Sequence, residues 1–195
     1  MKYYELLNEC KLYPKEYEAC LYIITELSHI TKSELYLRLD DDIADDLLLS
    51  MRKLIALYVD ENIPVQYLVG YTYFFGLKIK VNPNVLIPRF ETEEVVDKAL
   101  GLIKVKKLVK VVDVCTGSGC IAIALKKNIP DIDITAIDIS SEALNVARDN
   151  ALLNGVSVQF RENDLLSNIY EKYDMIIANP PYISEDEEVI ISYFS

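Results

Sequence analysis

The junction at residues 108–120 constrains this chain more than any other stretch. Leu108 to Val114 is a near-continuous apolar run, as expected of a strand buried on both faces of a sheet. It breaks into Cys115-Thr116-Gly117-Ser118-Gly119-Cys120, and from Ile121 to Lys127 the pattern reads as a helix. A buried strand, a glycine turn and a helix open a βαβ unit. The alternation continues. Asp133 to Ile139 reads as a second strand, and Ser140 as the cap of a helix through about Leu153, with Gly155 as its terminator. Val156 to Phe160 and Tyr173 to Ala178 complete four strands, in an order that predicts a mostly parallel, doubly wound α/β sheet.

The first third has a different texture. Ala19, Cys20, Ile23, Ile24 and Leu27 recur at helical spacing, and Thr31-Lys32-Ser33-Glu34 fits a capping box. A third helix is expected to begin near Asp40-Asp41-Asp42 and to present Leu47, Leu48, Met51, Leu54, Ile55 and Tyr58 on one side, until Asn62-Ile63-Pro64 stops it. After Gly70, an aromatic run meets Gly76, and Leu77, Ile79 and Val81 then alternate with Lys78 and Lys80. This predicts a two-stranded hairpin connecting the two halves. The resulting division is a helical domain over residues 1–68, a hairpin linker over 69–91 and a sheet domain over 92–195.

Composition excludes several classes. With 51% hydrophobic residues the chain has ample material for a core, so wholesale disorder is ruled out. No apolar run approaches the roughly 20 residues that span a bilayer, and the start MKYYELLNEC has no apolar leader, so a cytoplasmic protein is expected. Four cysteines and one histidine suit neither a disulfide scaffold nor a zinc site, and no metal is expected. The balance of 20 basic against 31 acidic residues, a formal charge of −11, argues against an extended nucleic-acid surface.

Two places can carry chemistry. In the first, glycines after strand one let the backbone approach a ligand at the carboxyl edge of the sheet. Asp138, ending strand two, is placed to accept hydrogen bonds from a ribose diol. The turn lacks the Gly-Lys-Ser/Thr of a P-loop, so a nucleoside-type ligand such as S-adenosylmethionine fits better than a nucleoside triphosphate. Asn163-Asp164-Leu165 follows strand three at the same edge. The second place is Asn179-Pro180-Pro181-Tyr182, directly after strand four. Two prolines stiffen the corner and remove two backbone donors. A planar NH2 group could give one hydrogen to the Asn179 oxygen and one to the Pro180 carbonyl, with Tyr182 against its plane.

With these residues in view, the chain resembles a known family. Asn179-Pro180-Pro181-Tyr182 is similar to the signature of S-adenosylmethionine-dependent amino methyltransferases. Pro64-Val65-Gln66-Tyr67-Leu68-Val69-Gly70, Phe75-Gly76-Leu77 and Val85-Leu86-Ile87-Pro88-Arg89-Phe90-Glu91-Thr92-Glu93 resemble one branch, the release factor glutamine methyltransferases. The resemblance implies a class I, Rossmann-like methyltransferase domain preceded by a small all-α, substrate-binding domain and a hairpin linker. It implies transfer of a methyl group from S-adenosylmethionine to the glutamine amide in the Gly-Gly-Gln loop of peptide chain release factors. By the same resemblance Cys115, Thr116, Gly117, Ser118, Gly119, Asp138, Asp164, Leu165 and Asn179 hold the cofactor. Asn179, Pro180, Pro181 and Tyr182, with Phe90, Glu91 and Thr92, meet the substrate, and Asn179, Pro180 and Tyr182 are the expected catalytic groups.

That family's sheet has seven strands, so by this resemblance strands five to seven are expected to be missing, and a second chain could complete the sheet. Two other functions compete. One is a non-catalytic remnant that binds cofactor or release factor. The other is an exocyclic-amine methyltransferase acting on nucleic acid, which the acidic charge disfavours.

Overall fold

The computed structural model describes residues 1–180; Pro181, Tyr182 and the rest of the chain to Ser195 lie outside the described residues. Two compact units are present: Met1–Tyr71 with Val81–Pro83, and Thr72–Lys80 with the chain from Asn84 onward.

The first unit is helical, with α1 (Tyr3–Cys10), α2 (Tyr17–Ser28), α3 (Lys32–Leu37), α4 (Asp45–Glu61) and α5 (Val65–Val69). Its core is Leu6, Cys20, Ile23, Ile24, Leu35 and Met51, each essentially without solvent contact. The capping box forms as expected: Thr31 Oγ1 accepts from the Glu34 N–H at 3.2 Å, and Glu34 Oε2 accepts from the Thr31 N–H at 2.7 Å. Asp40, Asp41 and Asp42 do not start a helix. The chain turns through Asp40 and Asp41 and makes a bridge between Asp42 and Lys2, and α4 begins only at Asp45. Tertiary pairing of this segment with α1 overrides the acidic start signal, and Asp45 and Asp46 occupy the favoured first turn instead. Asn62 ends α4 in the left-handed conformation, φ +54°.

The second unit holds the sheet. A hairpin of β1 (Tyr71–Phe74) and β2 (Leu77–Lys80) turns at Phe75 and Gly76, both with positive φ. Then come α6 (Glu91–Lys106), β3 (Lys110–Val114), α7 (Cys120–Asn128), β4 (Asp133–Asp138), α8 (Ser141–Asn154), β5 (Gln159–Glu162) and β6 (Met175–Ala178). The strand order is β5-β4-β3-β6 and every neighbouring pair is parallel. Val111, Val112 and Val114 of β3 are buried, as are Ile134, Ala136 and Ile137 of β4. Ile123, Leu125, Leu144 and Ala147 of α7 and α8 are buried too. Ser140 caps α8, its Oγ accepting from the Ala143 N–H at 3.1 Å, and Gly155 terminates it at φ +65°.

Helix α6 is the one long element absent from the sequence expectations. Its signal was available: Val96, Ala99, Leu100 and Ile103 share a face, with acids in the first turn and Lys104 and Lys106 in the last. The hairpin belongs to the sheet unit, with β2 packed on α8. Buried Asn150 of α8 accepts from the Lys80 N–H at 2.7 Å and donates to the Lys80 carbonyl at 3.0 Å.

Candidate functional site

The chain builds outward from β3 through β4 to β5, then returns to the other side of β3 for β6. Strand order therefore reverses between β3 and β6, and open α/β sheets bind ligands at the carboxyl ends of the strands at such a switch point. Register aligns those ends: Val114 pairs with Ile137 of β4 and with Ala178 of β6. The next residues, Cys115, Asp138 and Asn179, consequently stand side by side on neighbouring strands, which are about 4.8 Å apart.

The turn after β3 is a left-handed run. Cys115, Gly117 and Gly119 have φ of +58°, +53° and +78°. A β-carbon on Gly119 would lie 3.0 Å from Ala147 Cβ and 3.1 Å from Ile123 Cδ1, so only glycine lets α7 start against α8. Around Gly117 there is open space. Thr116 and Ser118 are buried, and the Ser118 carbonyl accepts the second amide hydrogen of Asn150 at 2.9 Å. Asn150 thus ties the turn to the hairpin.

Asp138 is half-buried and already oriented. Its Oδ2 accepts from the Gly117 N–H at 2.8 Å and its Oδ1 from the Ser140 N–H at 3.0 Å. A carboxylate oxygen accepts more than one hydrogen, so both can still take a hydroxyl. Asp164 and Leu165, on the loop after β5, are exposed; this loop is joined to β4 by the Asn163 N–H on the Asp138 carbonyl at 3.0 Å.

Sequence reasoning placed Asp113 at the head of the glycine stretch and gave it no role of its own. The carboxyl is fully buried at the end of β3: Oδ2 accepts from Thr116 Oγ1 at 2.6 Å and from the Ala122 N–H at 3.3 Å, while Oδ1 has no partner among the described residues. Burial is the main cause pushing this acid up from 3.8 to about 7, with a contribution from Asp138. An acid ending an apolar strand just before a glycine turn was the available signal. Burial, then the charges of Asp138, Asp113 and Asp164, also raise the Cys115 thiol, so three carboxylates converge on this turn.

Asn179, half-buried after β6, donates from Nδ2 to the Thr92 hydroxyl of α6 at 3.4 Å. Pro180 is exposed beside it, and Pro181 and Tyr182 fall outside the described residues. Thr92 is buried, whereas Phe90 and Glu91 at the start of α6 are exposed. The structure therefore brings together Cys115 to Gly119, Asp138, Asn179 and Thr92. Away from this edge, a hollow of about 290 Å³ between α1 and α4 is lined by Leu6, Cys10, Tyr13 and Val59, with the Glu9–Arg52 pair. Among the described residues no cluster of three or more histidine, cysteine or acidic side chains is arranged to hold a metal ion.

A parallel sheet carrying a glycine turn, an acid and an Asn-Pro corner at one switch point has the architecture of a methyltransferase domain. The methyltransferase small domain family matches residues 93–192, more than half of the chain, and the chain belongs to that family. Among individual proteins it is similar to the release factor glutamine methyltransferase of Flavobacterium psychrophilum, 41% identical over 180 residues, which cover 89% of this chain and 63% of the relative. The protein of the same description from Bacillus subtilis is 40% identical over 83% of this chain and 58% of its own length. A tRNA (uracil-54, C5)-methyltransferase structure from Pyrococcus abyssi aligns with 57% of this chain and 28% of its own, at 21% identity and a TM-score of 0.48. The chain spans 63% and 58% of the lengths of the two curated relatives.

Proposed function

We propose that the chain belongs to an enzyme that transfers a methyl group from S-adenosylmethionine to a glutamine side-chain amide of peptide chain release factors, in their Gly-Gly-Gln loop. The observation that carries this reading is the register placing the glycine turn and Asn179 one residue beyond the paired Val114 and Ala178. The relatives' names supply the substrate class.

The residues fit the cofactor. Its sulfonium and ammonium are cations, and the charges of Asp138 and Asp164 act on the turn at Cys115. Asp138 has acceptor capacity left for a ribose diol, and the left-handed Cys115, Gly117 and Gly119 bring backbone rather than side chains to the ligand. Asp164 and Leu165 border the same edge. When bound, S-adenosylmethionine supplies an electrophilic methyl group.

The protein's task is alignment. An amide nitrogen is a poor nucleophile because its lone pair is delocalised into the carbonyl. Asn179 Oδ1 and the Pro180 carbonyl accept its two hydrogens, aim the nitrogen and stabilise the positive charge that develops on it. By the resemblance Pro181 and Tyr182, which lie outside the described residues, complete the substrate corner. No strong base is required, since a methylated amide releases its proton readily. In this reading residues 1–68 receive the release factor, 69–91 link, and 92–195 carry the transfer, in the cytoplasm.

The test is transfer of label from methyl-tritiated S-adenosylmethionine to a purified release factor, mapped by peptide mass. Label on the Gly-Gly-Gln glutamine supports the reading. Label on nucleic acid instead overturns it, and cofactor binding by calorimetry with no turnover marks a binding remnant.

A further inference from the structure

We infer that Thr92 is a positioning residue, which holds the Asn179 carboxamide by its nitrogen and so turns the oxygen towards an incoming amide. The inference rests on the proposed part of Asn179 and adds a residue that never touches the reacting atoms. The resemblance puts Thr92 among the groups that meet substrate; the geometry gives it an indirect part.

Thr92 is the second residue of α6 and is 7% exposed. Its backbone N–H is taken by the Arg89 carbonyl at 3.1 Å, and its hydroxyl lies 3.4 Å from Asn179 Nδ2. The neighbouring Glu93 accepts from the Phe75 N–H at 2.7 Å, so the first turn of α6 is anchored to the hairpin. A β-branched side chain is restricted at χ1, and burial of Thr92 on this anchored turn narrows the positions open to its hydroxyl.

Asn179 is fixed differently. Its backbone follows β6, which is held in register with β3, but the terminal torsion of an asparagine is broad and close to two-fold. Rotation by half a turn exchanges an acceptor for two donors at nearly the same positions. Facing a substrate NH2, the wrong orientation sets hydrogens against hydrogens. With Nδ2 on Thr92, Asn179 Oδ1 is turned away, and no described group donates to it. A threonine hydroxyl can also donate, so the contact holds the plane, and the arrangement seen is the one that leaves an acceptor for a substrate N–H.

The test compares Thr92→Val, which keeps the shape and removes the hydroxyl, with Thr92→Ser, which keeps the hydroxyl. The first readout is the Asn179 side-chain NH2 pair in a 15N–1H spectrum, assigned by its loss in Asn179→Ala. Thr92→Val is expected to move this pair towards the values of an exposed asparagine, while Thr92→Ser leaves it near wild type. The second readout is methyl transfer: Thr92→Val should lower kcat about tenfold, the scale of one lost hydrogen bond, and leave cofactor Kd within about twofold, with Thr92→Ser retaining most turnover. An NH2 pair unchanged in Thr92→Val overturns the inference. So does a Thr92→Ser variant as impaired as Thr92→Val, or cofactor affinity that falls together with kcat. Should wild type methylate nothing, the proposed function fails, and the carboxamide signals still decide the role of Thr92.

Discussion

Asn179 and Asp113 stand at the ends of adjacent strands and answer to different measurements. Asn179→Ala should lower kcat on the order of a hundredfold, because an oriented acceptor acts on charge developing in the transition state. Cofactor Kd should change by less than about threefold, since the binding turn keeps its own contacts; calorimetry beside single-turnover kinetics separates the two. Asp113 has the opposite profile, its effect lying in stability. Folding raises its affinity for a proton from 3.8 to about 7, chiefly through burial. Between those values the folded chain holds a proton that the unfolded chain has released, so this residue's contribution to stability falls as pH rises through the window and its cost is complete above about 7. Urea midpoints from pH 4.5 to 8 should fall more steeply for wild type than for Asp113→Asn; equal slopes would refute the assignment. Two glycines of the turn also diverge. Gly119→Ala meets Ala147 and Ile123 as well as an unfavourable φ of +78°, whereas Gly117→Ala meets only the φ of +53°. The first should cost roughly 2–4 kcal/mol and the second about 1 kcal/mol, read from chemical denaturation.

At the scale of elements, the hairpin and α8 act as one piece because of Asn150. A fully buried carboxamide makes three hydrogen bonds, two to Lys80 and one to the Ser118 carbonyl, and the exposed-side Asn154 adds one to the Lys78 carbonyl. Asn150→Leu leaves three backbone groups without their partner, the Ser118 carbonyl buried and the two of Lys80 partly so. We expect a loss of about 2–4 kcal/mol, with faster hydrogen exchange at the Lys80 N–H and weaker cofactor binding, since the same side chain braces the glycine turn. Exchange at Lys80 unaltered in the variant would show that the hairpin is held by packing alone. The sequence carried a hint of this bond, a polar residue on the face shared by Ala143, Leu144, Ala147 and Ala151. Helix α6 was legible on the same terms, through its apolar spacing. By contrast, the start of α4 was misplaced because the acids at 40–42 send the usual local signal, and only the pairing of Asp42 with Lys2 redirects them.

For the whole molecule, charge sets what the surface can hold. With 31 acidic and 20 basic residues, the chain should fail to retard duplex or single-stranded nucleic acid at about 0.1 M salt, checked by gel shift; stable retardation would revive base methylation. No described helix is long and apolar enough to cross a membrane. The alternation of strands and helices, the caps at Thr31 and Ser140 and the glycine turn were all readable beforehand, because periodicity and capping act within one or two turns of chain. Topology was readable too: parallel strands put the turn after β3 and the corner after β6 on the same edge. Tertiary structure alone decided which distant groups meet. Asn179 reaches Thr92 across 87 residues, Asn150 reaches Lys80 across 70, and Asp113 keeps one oxygen without a donor among the described residues. Such meetings depend on register and on how α6, α8 and the hairpin pack, and no preference acting within a few residues of chain encodes them.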